Sequence, residues 1–267
     1  MQRLWPSVLR LQIFVTAVVL TGVATWRISE IGQLNGPLVL SIGLLIPFTI
    51  AWLTKGDRSS GEIALESWAV SANSAYWVVP VAGAIAGPAG TMIAALVNVP
   101  STAVNMWWIA LMRRDAPRAQ RRSTGWIDYS PLIASALGYL LRFVHSAPSS
   151  TSEVLKWAGP LLAFSGAALV TGSIIHPHNV SITRSRASLN RWACLSSFRI
   201  AYCLAIASLT SSTPLKIVAV LTALSAPSFS PIQQGVIYGY RSSVVRSAVR
   251  WGWLTAPVGI AVAAFIH

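Results

Sequence analysis

Apolar runs of about 20 residues follow one another along nearly the whole chain, and each run is long enough to cross a bilayer as a helix. Only 10% of the 267 residues are charged, against about 25% in a typical soluble domain. A water-soluble fold could not cover itself with so little charge. We therefore predict an all-α, polytopic membrane protein. The nine predicted spans are 9–27, 37–54, 66–87, 90–112, 129–146, 154–176, 191–211, 215–239 and 245–266.

Basic residues are concentrated in alternate connections between these spans, which is the pattern that orients helices in a membrane. The richest connection carries five arginines and is therefore predicted to be cytoplasmic. Alternation from it gives a cell-membrane protein with a cytoplasmic N-terminus and an outside C-terminus. We divide the chain into a four-helix first repeat at 1–113, a basic cytoplasmic loop at 114–128 and a five-helix second repeat at 129–267.

The net charge of +13 does not indicate a nucleic-acid partner, because the positive charge lies between apolar segments and not on one face. No nucleophile and base stand at a recognisable spacing, and no glycine-rich phosphate loop follows a strand, so an enzyme is not predicted. His176 and His178 lack further ligands nearby, and neither a metal site nor a cofactor is predicted. The acids lie near span ends, so a proton and a sodium ion both stay open as coupling ions.

Two predicted spans contain proline and amide side chains where a regular helix is expected, and they occupy corresponding places in the two halves. The first, 68–87, contains Asn73 and Pro80, and the second is 218–239. Proline removes a backbone donor, so both segments are predicted to be broken helices. Paired interrupted segments indicate a transporter's binding site, whereas the alternative is a pair of ordinary proline kinks. The second segment contributes Pro227, Pro231, Gln233 and Gln234 to the candidate site.

Three further polar residues lie within apolar spans. Asn98 and Asn105 are seven positions apart and share a helix face, where they either bond to neighbouring helices or line a polar cavity with Asn73. Arg199 lies about two turns into the predicted span 191–211. Its side chain either reaches back to the membrane surface or binds an anion.

The order of several motifs resembles the auxin efflux carrier family of membrane transport proteins, which includes malonate-type permeases. The similar stretches are 73–80 with the following glycines, 130–138, 160–169 and 226–239. Order and spacing agree over residues 36–267, with Trp77 or Val78 at a family glycine and Pro231 at a family asparagine.

This resemblance implies an inverted-repeat carrier in which two broken helices cross near mid-membrane, and a homodimer. It identifies Asn73, Pro80 and Pro227 as crossover residues, and it leaves this chain without the family's first helix. A chain that lost that helix would have an inside N-terminus, as the charge pattern also predicts.

The predicted function is secondary transport, as a permease or exporter, of a small organic anion such as a carboxylate across the lipid bilayer. The alternative is a non-transporting or degenerate membrane protein that keeps the carrier fold as an assembly partner. The substrate-binding candidates are Asn73, Pro80, Asn98, Asn105, Pro227, Pro231, Gln233, Gln234 and Arg199.

Overall fold

The regular structure of the protein is helical, as the sequence predicts. The computed structural model describes residues 17–28, 31–53, 69, 74–115, 129–175, 186–225 and 257–266. No strand occurs in these ranges. Eight helices do: α1 (a π-helical Ala17–Gly22 continued by Val23–Trp26), α2 (Asn35–Leu53, after a 3-10 turn at Ile31–Leu34), α3 (Val79–Asp115, after a π-helical Ser74–Val78), α4 (Ser130–Val144), α5 (Thr151–Ile175), α6 (Arg186–Leu209), α7 (Thr213–Leu224) and α8 (Pro257–Ile266).

The observed helices follow the predicted apolar runs closely. The ends of α4 and α5 lie within three residues of the spans 129–146 and 154–176. The apolar part of α6, Asn190–Leu209, agrees with the predicted span 191–211, whereas the helix itself begins at Arg186. Its first turn is polar, and apolarity marks only the buried or lipid-facing part of a helix. Arg199 lies about two turns into the apolar part, as the sequence predicts.

The α3 helix reverses direction at Gly87, where the backbone leaves the helical region with φ 61° and ψ −154°. A straight helix would separate residues 82 and 90 by about 12 Å. Instead, a Cβ atom at Gly90 would overlap the carbonyl oxygen of Ala82, and one at Gly83 would lie 2.5 Å from Thr91 Oγ1. The chain therefore forms a tight helical hairpin, with its turn beside the short connection that the sequence predicts at 88–89.

The α7 helix lies in the centre of the described fold. It contacts α2, α3, α6 and the π-helical Ser74–Val78. Eight of its 12 residues are buried, and they include consecutive positions from Ile217 to Ala223. A helix that is apolar on every side is stable only where neighbours surround it. The sequence of α7 therefore matches its central position.

Large apolar side chains cover the outward faces of α2, α4 and α5. In α2 they recur every four residues and form a continuous stripe, in which Ile42 is 55% exposed. Contiguous apolar surface of this kind is unusual on a monomeric soluble protein. The exposed residues of these three helices include Leu38, Ile42, Ile46, Ile50, Ile133, Leu137, Leu140, Phe143, Trp157, Leu161 and Phe164.

Two helical stretches in the described ranges are long and apolar enough to cross a bilayer, Ala75–Pro100 and Asn190–Leu209. The first includes the turn at Gly87, so it is not one straight span. Four shorter helices are also apolar. The nine spans stay a prediction, because several of them include residues outside the described ranges.

Candidate functional site

Arg199 is the one charged side chain that is buried among those the structure describes, with 6% of its surface exposed. Its Nη2 atom donates a hydrogen bond to the carbonyl oxygen of Ser225, 3.3 Å away. Its Nε and Nη1 atoms have no acceptor among the described residues. A buried guanidinium with unused donors is costly, because burial removes the charged group from solvent.

The antiparallel pairing of α6 and α7 explains why Arg199 meets Ser225. The two helices are joined by residues 210–212 and pack along each other. Arg199 lies ten residues before the end of α6, and Ser225 follows the last residue of α7. Both residues are therefore about 15 Å from the connection. A short hairpin thus brings an arginine to the C-terminal end of a buried helix.

The end of α7 is electrostatically suited to a cation. The last carbonyl groups of a helix have no partner within it and carry a partial negative charge. Ser225 has an extended conformation (φ −63°, ψ 148°), so the helix stops before Pro227, where the sequence predicts an interruption. The Arg199 guanidinium therefore lies at the negative end of a helix that terminates inside the protein.

The hydroxyl groups beside Arg199 are already engaged. Thr222 donates its Oγ1 hydrogen to Val218 O at 2.7 Å, and Ser225 donates its Oγ hydrogen to Thr222 O at 3.2 Å. Hydroxyl groups commonly bond back to their own helix in this way in apolar surroundings. Among the described side chains at this end of α7, Arg199 is therefore the one with N–H groups that have no acceptor.

The two interrupted segments contact each other in the described part of the chain. The α7 helix packs against α3 and against Ser74–Val78. Buried apolar side chains fill this contact, among them Val78, Val79, Ile217 and Val218. The contact between the described parts of the two segments is therefore mainly apolar.

The structure separates the predicted site residues that it describes. Pro80, in the first turn of α3, lies against α5, since a Cβ at Gly159 would stand 3.4 Å from Pro80 Cα. Asn98 is half-buried in the second arm of α3, and Asn105 lies in the same arm. Arg199 lies at the end of α7. Asn73, Pro227, Pro231, Gln233 and Gln234 lie outside the described residues.

The burial of Arg199 bears on the two interpretations of its sequence position. A side chain that reached the membrane surface would be exposed at its tip, whereas Arg199 is directed at the carbonyl of Ser225. Ser225 was not predicted from the sequence. The available signal was Pro227, because a proline two residues after a serine ends a helix and leaves carbonyl groups free for a nearby donor.

No protein-family model, curated protein or solved structure matches this chain.

Proposed function

We propose that the chain is an integral membrane protein and that its exposed apolar faces contact lipid. By length, α2 (19 residues), α5 (25 residues) and α6 (24 residues) each reach the thickness of a hydrocarbon core, which is about 30 Å. The outward stripe on α2 would be unfavourable in water and is favourable in lipid. The alternating basic connections support a cytoplasmic N-terminus.

Within that membrane, we propose secondary transport of a small organic anion, as a permease or exporter. The observation that carries this proposal is the buried Arg199 with unused donors at the end of α7. Its distance of about 15 Å from the α6–α7 connection is half the thickness of the hydrocarbon core. Carriers bind their substrates near this depth, beside helices that are interrupted. The motif resemblance to the auxin efflux carrier family agrees with this function.

A second function is favoured by one specific observation. The described contact between the interrupted segments is filled by apolar side chains, and a filled crossing is what a non-transporting protein would keep. In that case the chain would be an assembly partner that retains the carrier fold. Arg199 argues against this alternative, because a protein without an anion to bind has no use for a buried, largely unpaired charge.

Transport can be tested with purified protein in liposomes that are loaded with buffer and supplied with labelled carboxylates on the outside. The panel should contain monocarboxylates and dicarboxylates, with a proton or sodium gradient imposed in separate runs. We expect label to accumulate above the level of protein-free liposomes for at least one member. Equal levels across the whole panel under both gradients would support the non-transporting alternative.

A further inference from the structure

We infer that Arg199 is the residue that binds the anion, and that it holds one carboxylate group by two parallel hydrogen bonds in a site that takes a single negative charge. This inference rests on the proposed carrier function and specifies its substrate class. Three observations support it: the geometry of the guanidinium, the balance of buried charge and the position of Arg199 at the end of α7.

The first observation is which N–H groups of Arg199 are not used in the hydrogen bond to Ser225. A guanidinium presents five N–H bonds in one plane, and two pairs of them are parallel. One pair is Nε with Nη2, and the other is Nη1 with Nη2. Nη2 has one N–H bond in each pair, and it gives one of these to Ser225. Whichever bond is used, both N–H bonds of the other pair lack an acceptor among the described residues. The Nε and Nη1 atoms are enclosed, so neighbouring groups must move to admit a carboxylate.

The charge balance concerns what else is buried near Arg199. No other buried side chain is charged in the part of the chain that the structure describes. The buried residues of α6 and α7, the two helices that Arg199 joins, are largely apolar and include Cys203, Val220 and Leu221. One carboxylate would neutralise the guanidinium in these surroundings. A second carboxylate would leave an uncompensated charge in a medium of low dielectric constant, so a monovalent anion is preferred over a divalent one.

The position of Arg199 concerns how binding is linked to the interrupted segment. The guanidinium already holds the carbonyl group at the end of α7. A carboxylate bound at the open pair would therefore lie beside the point where the second segment leaves its helical path. A movement of this segment would change the contacts of the bound anion, as alternating access requires.

Binding can be measured with three ligands of three carbon atoms each: propionate, with one charge, malonate, with two, and the neutral ester methyl acetate. Isothermal titration of the purified full chain in lipid nanodiscs would give the dissociation constants. We expect propionate to bind more tightly than malonate, and methyl acetate not to bind. Tighter binding of malonate, or no binding of propionate, would overturn the inference.

The variants test the role of Arg199 itself. Arg199→Lys keeps the charge but lacks the parallel pair of donors, so the propionate dissociation constant should rise by about tenfold or more. Arg199→Met should abolish binding. Arg191→Lys, on the same helix and half-exposed, is the matched control and should leave binding unchanged. Unchanged affinity in both Arg199 variants, with an unaltered far-UV circular dichroism spectrum, would refute the assignment.

The outcome can be separated from the fate of the proposed carrier function. If labelled carboxylate crosses the membrane equally well in the wild type and in Arg199→Lys, transport is supported and the assignment of Arg199 is wrong. If propionate binds in an Arg199-dependent way but does not cross, the assignment is supported and the carrier function is wrong. Loss of both binding and flux in the Arg199 variants supports the two together.

Discussion

Arg199 is a buried cation whose visible partner is one neutral carbonyl group. A charge without a counter-ion costs several kcal/mol inside a protein, whereas a helix C-terminus returns about 0.3 to 2 kcal/mol. Because the cost of burial is larger than the gain from the helix end, Arg199 lowers the free energy of unfolding of the protein without a bound anion. This cost is what the proposed binding of an anion would offset.

Replacing Arg199 with methionine, which matches the aliphatic part of the arginine side chain and has no charge, should therefore not destabilise the protein without a bound anion. We expect the free energy of unfolding to be unchanged or higher by about 1 to 4 kcal/mol, as is found when buried charges are replaced by apolar side chains. Denaturant titration in detergent micelles would measure it. Leu221→Ala, at a fully buried position of α7, is the control and should lose about 2 to 5 kcal/mol. A comparable loss in Arg199→Met would mean that the guanidinium has a partner beyond Ser225.

The helical hairpin of α3 depends on a backbone conformation that glycine alone adopts readily. At Gly87 the φ of 61° and ψ of −154° fall in a region that side chains with a Cβ atom avoid. There is also open space around the position, because a Cβ atom would meet no other atom within 4 Å. Any effect of a substitution there would come from the backbone and not from a clash.

We expect Gly87→Ala to lower the free energy of unfolding by about 1 to 3 kcal/mol, the usual cost of a side chain in this conformation. Gly159→Ala is the matched control. Its Cβ atom would make an ordinary contact of 3.4 Å with Pro80, and alanine favours a helix more than glycine does. The control should be neutral or slightly stabilising in the same denaturant titration. Equal stability of the two variants would contradict the turn at Gly87.

At the scale of the whole molecule, the described fold has an apolar centre and apolar outward faces. Burial of an apolar centre is favourable in water, whereas exposure of apolar outward faces to water is unfavourable. The outward faces are therefore stable only in apolar surroundings. The hydroxyl groups of Ser41 and Thr222 illustrate the same environment, since each bonds to a backbone carbonyl of its own helix. Both observations support the proposed contact with lipid.

A lysine placed on an outward face distinguishes between a bilayer and water as the surroundings of that face. Ile42 lies in the middle third of α2 and is 55% exposed. In water, Ile42→Lys would change stability by less than about 0.5 kcal/mol. In a bilayer it should cost about 2.5 to 3.5 kcal/mol, which would appear as reduced insertion into membranes and a lower denaturation midpoint in liposomes. Ile42→Ala should insert normally. Normal behaviour of the lysine variant would argue against a lipid-facing α2.

Much of the helical architecture could be predicted from the sequence, because each helix in an apolar environment must satisfy its own backbone hydrogen bonds within one continuous run. The limits of α4 and α5 follow from this local rule, and Pro227 similarly marked the end of α7. The first turn of α6 was not part of the predicted apolar run because it is polar. The reversal at Gly87 was predicted only as a short connection, since a Gly-Pro pair marks a break without specifying its angle.

The sequence by itself determined that the described chain is helical and largely apolar, since these properties depend on residues close together in the chain. The two corresponding interruptions stay a prediction. Only the tertiary structure decided where the Arg199 guanidinium lies. Arg199 and Ser225 are 26 residues apart, and their contact depends on the packing of α6 against α7. The same packing buries Arg199, so that its guanidinium is a buried hydrogen-bond donor and not an exposed charge near a helix end. Burial and pairing arise from contacts between distant segments, which no local pattern encodes.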